Sequence, residues 1–203
     1  LLRDKDAGVR VAAIATLGRL GSPDAEKPLR QARDRRSPAA RAAAREAFIA
    51  LANDLVSGNA ATAERIFRTV QASADRDAER CAALAGLAHL PRPPMDVLLA
   101  ALKAGTPMVR GAVAQALLDA KGPAATQSLV AATRHAHGPA KVALLNVLSA
   151  RGDTGAAGAA ADATADKDPK VRAAALAALG RLGCFADVAR LATALGDTAE
   201  APR

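Results

Sequence analysis

The sequence predicts an all-α chain folded as an α-solenoid, an open stack of about six helix pairs. Three observations predict it. Alanine, the strongest helix former, supplies 57 of the 203 residues. Aromatic residues are limited to Phe48, Phe67 and Phe185, which argues against a β-sandwich or barrel built on aromatic and β-branched side chains. Most telling, the segment Asp166–Gly183 almost reproduces Asp4–Gly21, and intermediate copies lie between them. A bilayer span is excluded on length: it needs roughly 18 or more uncharged residues, and the longest charge-free run extends only from Gly122 to Thr133.

The repeat is anchored on a basic residue that follows the motif's valine. The anchors are Arg10, Arg41, Arg80, Arg110, Lys141 and Arg172, at intervals of 31, 39, 30, 31 and 31. Two residues after each anchor stands alanine: Ala12, Ala43, Ala82, Ala112, Ala143 and Ala174. Seven after it comes a large apolar residue: Leu17, Phe48, Leu87, Leu117, Leu148 and Leu179. Nineteen after it, in a second helix, come Leu29, Leu99, Leu129 and Leu191, with Ala160 the odd member. Such a period marks a repeat architecture in which no single unit can bury its apolar face alone.

Each element follows from local signals. In unit one Asp6 caps a motif helix near residues 7–20, Gly21 stops it, and a partner helix runs near Asp24–Arg33. Unit two opens on Ser37-Pro38, with a motif helix near 38–53 and a partner at Ala60–Ser73. Its eight extra residues fall around Asn53–Asn59 and should lengthen a helix or form a protruding loop. Unit three has a motif helix near 78–90 and a partner near Pro93–Lys103; unit four opens on Thr106-Pro107, runs near 107–120, stops at Gly122 and continues in Pro123–Arg134. Unit five places Pro139 at the head of a helix near 139–151, with His137 in the cap column and Gly152 as the stop. Its partner, Gly155–Ala165, holds two glycines and no large apolar side chain, so it should be the loosest internal helix. Unit six opens on Asp168-Pro169, runs near 169–182 to Gly183, and pairs with Phe185–Leu195. Side-chain caps, proline in the first turn and left-handed closing glycines at Gly21, Gly122, Gly152 and Gly183 supply the boundaries. The array fills 1–203 as a single domain and reads as a piece of a longer protein.

A step of 100° per residue sorts the faces. With the anchor as zero, positions 2, 3, 6, 7 and 10 gather on one side, the expected core. Positions 1, 5 and 8 point away, with 9 at the rim. The outward set includes Glu46, Ile49, Gln115, Leu118, Asn146 and Ser149, with Arg19, His89, Asp119 and Arg181 at the rim. These residues vary along the chain while positions 2 and 7 stay nearly constant, the pattern of a scaffold with a diverged binding surface.

The motif Asp-Pro-Lys-Val-Arg-Ala-Ala-Ala-Leu-Ala-Ala-Leu-Gly-Arg-Leu-Gly, at 168–183, resembles the HEAT-like repeat of the phycobilin-lyase type, common in bacterial and archaeal proteins. The resemblance covers essentially the whole chain, strongest in units one and six. It departs at Arg45, where other units carry Ile14, Leu84, Leu145 or Leu176, and at Lys141. It implies a right-handed superhelix with the motif helices lining the concave surface, and a binding role more than any one chemistry.

Three groups of side chains carry the functional expectations. The anchors Arg10, Arg80, Arg110, Lys141 and Arg172, with cap residues Asp6 and Asp168, form a structural ladder of arginine–carboxylate pairs or, alternatively, a ridge for phosphates. The basic stretch Arg30, Arg33, Arg35, Arg36, Arg41 and Arg45 is the candidate for nucleic acid or another polyanion, in a chain of net charge +8. It lacks the interleaved aromatics on which single-strand binders stack bases. His135 and His137 are two apart and have no carboxylate at ligand spacing, so no metal or other cofactor is expected. No G-x-S-x-G, P-loop or H-E-x-x-H occurs, and the Gly152, Gly155, Gly158 series follows no strand; an enzyme is not expected. Cys81 and Cys184 lie three units apart and are expected as free thiols. The leading reading is a non-catalytic scaffold that binds a protein partner or a neighbouring domain along the concave face. Polyanion binding is the alternative, and an accessory role in bilin attachment rests on the resemblance alone.

Overall fold

A computed structural model describes residues 2–33, 37–120, 122–183 and 192. All regular structure among them is helical. The motif helices are α1 (Ala7–Arg19), α3 (Pro38–Leu55), α5 (Asp77–Ala88), α7 (Pro107–Leu118), α9 (Gly138–Arg151) and α11 (Pro169–Leu182). Between them lie the partner helices α2 (Glu26–Arg33), α4 (Ala60–Ser73), α6 (Met95–Ala104), α8 (Pro123–His135) and α10 (Ala157–Ala163). Short 3₁₀ turns at Pro23–Ala25 and Thr154–Ala156 lead into α2 and α10. The partner helix expected at Phe185–Leu195, and Cys184, lie outside the described residues.

The helix starts are capped by side chains. Asp6, Ser37, Asn59 and Thr106 each accept the backbone N–H three residues on, at Val9, Ala40, Thr62 and Val109, and Asp168 accepts from Lys170. His137 makes no such bond, and the helix behind it relies on proline in its first turn. Gly152 closes α9 in the left-handed region at φ 69, with its N–H on the Leu148 and Ser149 carbonyls. Gly183, expected to do the same, instead sits at φ −71 and continues in extended backbone.

The helices stack as two layers. Motif helices pack in sequence order, α1 on α3, α3 on α5, and so on to α11, and each partner helix packs on the motif helix that follows it. Among the described residues, no helix packs substantially on one more than two repeats away. The eight extra residues lengthen α3 to 18 residues, against 12 to 14 for the other motif helices, and let α4 lean on both α3 and α5. The ring of Phe67 on α4 fills the space where a Cβ at Gly86 on α5 would sit, 2.3 Å away. That contact is why position 6 in unit three has no side chain.

Burial corrects the expected core face. Position 3 is fully buried in the internal units, at Ala44, Ala83, Val113 and Leu144. So is the residue just before the anchor, at Ala40, Glu79, Val109, Ala140 and Val171. The constant alanine at position 2 mostly is not: Ala12 and Ala82 are exposed, Ala43, Ala112 and Ala143 are half-buried, and Ala174 alone is buried as expected. The expectation treated each motif helix as having one buried face. An internal motif helix is covered on three sides, by the preceding motif helix, the following one and the partner layer. Position 9 is exposed in every unit but the second and position 5 in units two, four, five and six, while position 8 is buried or half-buried in the first five units. In the partner layer Leu98 is fully buried and Leu99 only half-buried, a one-residue shift that matches the 30-residue interval of unit three.

Candidate binding surface

Polar side chains stand exposed on three of the motif helices, α3, α7 and α9. Glu46, Gln115 and Asn146 occupy position 5, and all three are exposed. The Gln115 and Asn146 amides make no side-chain hydrogen bond among the described residues, while Glu46 Oε1 lies 3.7 Å from Arg76 Nη2. Along the rim, Arg19, His89, Asp119 and Arg181 are exposed as well. His89 and Asp119 terminate α5 and α7, and the His89 ring bonds through Nδ1 to the Ala85 carbonyl at 2.7 Å.

Three expected surface residues belong elsewhere. Ser149 is buried, and Ile49 and Leu118 are half-buried against the core. All are at position 8, which the next repeat covers. The candidate set thus divides by burial: the position 5 and rim residues are exposed, and the position 8 residues are buried or half-buried.

The basic stretch does not form a continuous exposed patch among the described residues. Arg45 is buried, with its guanidinium 2.6 Å from Glu79 Oε2 and 2.9 Å from Asp75 Oδ2. Position 4 faces the following repeat, so this arginine is an internal ion pair between α3 and α5. Arg30 pairs with Glu26, which also receives Arg65, whose Nη2 lies 2.7 Å from Glu26 Oε2. The hydrogen bond from Arg65, helped by Arg30, holds the Glu26 carboxyl below its usual range. Arg41 is half-buried at its anchor position. Arg35, Arg36 and the side chain of Arg33 lie outside the described residues.

The anchors form a ladder of a different kind from the one expected. Asp6 and Asp168 spend their carboxylates on helix caps. Arg10 Nη1 donates to the carbonyls of Asp4 and Lys5 at 2.7 and 2.8 Å, Arg172 Nη1 to those of Asp166 and Lys167 at 3.0 Å, and Arg110 Nη1 to Gly105 at 2.6 Å. Arg80 bonds both Asp77 and the Ala74 carbonyl. Each of these arginines folds back onto the linker entering its own helix, where carbonyls have no intrahelical partner. Lys141, with one charge point instead of a fork, reaches Asp166 Oδ2 of the next unit at 2.8 Å. That bond, with the Asp168 N–H, lowers the Asp166 carboxyl below its usual range.

The sequence reading missed two polar clusters. Glu79 stands in a column held elsewhere by Val9, Ala40, Val109, Ala140 and Val171, and the matching departure at Arg45 is the signal that pairs them. The second centres on Arg151, whose side chain is 8% exposed. It reaches Asp153 Oδ2 at 2.6 Å, the Leu117 carbonyl at 3.1 Å, the Ala120 carbonyl and Thr126 Oγ1 at 3.3 Å. It borders an open pocket of about 650 Å³, but its donors are spent tying α7, α8 and α9 together. Among the described residues no three His, Cys, Asp or Glu side chains converge as a metal site would require. Cys81 carries a free, half-buried thiol, pushed up in pKa chiefly by burial. No described helix is long and apolar enough to cross a membrane.

No protein-family model matches the sequence, and no curated protein does. Solved structures do. A designed armadillo repeat protein, YIII(Dq)4CqI, superposes with a TM-score of 0.50 at 18% identity, over 90% of this chain and 97% of that one. The fold is a helical-repeat solenoid. An engineered protein solved by a structural genomics consortium overlaps 90% of the solenoid and 93% of its own length, at 17% identity and a TM-score of 0.47. At 18% identity the likeness to the designed armadillo repeat protein speaks for the fold alone.

Proposed function

We propose that the solenoid is a non-catalytic scaffold of HEAT-like repeats that binds a protein partner, or a neighbouring domain, along the exposed ridges of its motif helices. The observation that carries this reading is the contrast within single helices. In α7 and α9, Val113, Leu117, Leu144 and Leu148 are fully or almost fully buried, while Gln115 and Asn146 stand in solvent on the same helices with their amides unspent. Two amides at equivalent positions of adjacent repeats give donors and acceptors on a rigid support, which suits recognition of polypeptide backbone or polar side chains.

Polyanion binding is disfavoured because Arg45 is internal and Arg30 is engaged by Glu26. Photo-crosslinking tests the proposal. A photoreactive residue at Asn146 should capture a protein that one at Ser128 on α8 does not, and Gln115→Arg with Asn146→Arg should abolish capture without lowering the melting temperature. Equal capture from both positions would refute the assigned surface. Binding to a single-stranded oligonucleotide that weakens steeply with salt would favour the polyanion reading instead.

A further inference from the structure

Four of the six linkers that enter motif helices carry a carboxylate, and the two that do not are consecutive. The linkers into α1, α3, α5 and α11 hold Asp4 and Asp6, Asp34, Asp75, and Asp166 and Asp168. Those into α7 and α9, Gly105-Thr106 and Ala136-His137, hold none. Between Asp96 and Asp153 the chain has six lysines and arginines against a single acid, Asp119. That acid terminates α7, at the end of the helix away from these linkers.

The fold sets the two acid-free linkers side by side. α7 packs on α9 and α6 on α8, so the turns that join these helices lie about 10 Å apart. Lys103 stands in the last turn of α6, Arg134 and His135 in that of α8, and Arg110 at the start of α7. Lys103, Arg134, His135 and His137 are exposed. Arg110 donates from Nη1 to the Gly105 carbonyl at 2.6 Å, which satisfies the carbonyl and leaves the charge uncompensated. Among the described residues Lys141 alone of the cations at this edge meets a carboxylate, Asp166 of the next unit. Asp77 of the preceding unit also reaches the edge, but its oxygens go to Arg80 and to the Thr106 hydroxyl. A cation in the last turn complements the dipole of its own helix, which accounts for one charge per repeat and not for the missing acids. Met108 adds an apolar contact. It lies in the first turn of α7 and is 61% exposed, and among the described residues it is the one exposed large hydrophobic outside α1 and its C-cap.

We infer that this edge of units four and five binds an acidic polypeptide segment, with Lys103, Arg110 and Arg134 facing its carboxylates and Met108 taking an apolar side chain beside them. Charge complementarity selects the acidic partner. The absence of any aromatic residue between Phe67 and Phe185 selects polypeptide over single-stranded nucleic acid, whose bases would have nothing to stack on. The edge is distinct from the exposed amides of Gln115 and Asn146 and from the Arg30–Arg45 stretch, so either reading can fail without the other.

Fluorescence anisotropy with a labelled short peptide of glutamates interrupted by leucine tests it at low salt. Lys103→Glu with Arg134→Glu should weaken binding by about tenfold or more. Lys27→Glu with Arg92→Glu, which change the net charge equally at exposed sites away from this edge, should leave it within about twofold. Met108→Ser should weaken it by about threefold, because an apolar contact is lost. All these residues are exposed, so every variant should keep the parent's circular dichroism. Equal losses from the two charge-reversed pairs would reduce the attraction to net charge and overturn the site, as would no binding of the peptide to the parent chain. Oligothymidylate that binds the edge more tightly than the peptide, and loses affinity in Lys103→Glu with Arg134→Glu, would overturn the polypeptide assignment.

Discussion

Two junctions of this solenoid use the same two positions with opposite chemistry. Between α9 and α11, Leu145 and Val171 stand at position 4 of one repeat and just before the anchor of the next, and both are buried. Between α3 and α5 the same positions hold Arg45 and Glu79, equally buried and 2.6 Å apart. Units one and two place Ile14 and Ala40 there, and units three and four place Leu84 and Val109. The lesson is that stacking geometry fixes which positions meet, while the chemistry is free to change provided that both partners change together. An ion pair out of water forfeits hydration that its mutual attraction only partly returns, so the charged junction is the more fragile of the two to single substitutions.

The largest expected effect breaks the charged junction alone. Glu79→Leu leaves the Arg45 guanidinium buried with only the exposed Asp75 carboxylate, and should destabilise the chain by about 3–5 kcal/mol in urea unfolding. Converting the junction to the chemistry of the other, with Arg45→Leu and Glu79→Val together, should recover that loss and leave stability equal to the parent or about 1–2 kcal/mol above it. A double variant as unstable as Glu79→Leu would show that the two junctions are not equivalent in geometry.

Glycines sharpen the comparison at a smaller scale. Gly18 faces the Ala47 backbone, so Gly18→Ala should cost about 1–3 kcal/mol through overpacking. Gly158, inside the seven-residue α10, has open space around its Cβ position, and Gly158→Ala should stabilise by about 1 kcal/mol. Amide exchange should run fastest among the internal helices in α10, and Gly158→Ala should slow it.

The smallest effect is in acid. Glu26 and Asp166 have carboxyls held below their ordinary values of 4.5 and 3.8 by Arg65 and Lys141. A depressed carboxylate stabilises the fold above the unfolded value and ceases to do so as pH falls through the folded one. Stability should therefore decline below about pH 4.5. Lys141→Met should reduce that decline in pH-dependent melts.

The helix-pair architecture was legible because caps, prolines and a fixed period act locally and repeat. The column at position 7 declared the core for the same reason. The orientation of each motif helix was harder to read, because an array buries three sides where a lone amphipathic helix buries one. A single-face count puts Ser149, Ile49 and Leu118 outside and Ala12 and Ala82 inside, the reverse of their burial in the array. Arg45 looked like part of a surface patch because basic residues close in sequence were counted together. Its partner lies 34 residues away, visible only once the Glu79 column is set beside the Arg45 column. Proximity in sequence points the anchor arginines at cap carboxylates, whereas four of them, Arg10, Arg80, Arg110 and Arg172, donate to linker carbonyls.

Small-angle X-ray scattering from the chain in dilute solution tests the open row of repeats most directly. A compact domain of this length would have a radius of gyration of about 17 Å. An open row of six repeats about 10 Å apart predicts about 20 Å or more, with the skewed distance distribution of an elongated particle. A value near 17 Å with a symmetric distribution would contradict it.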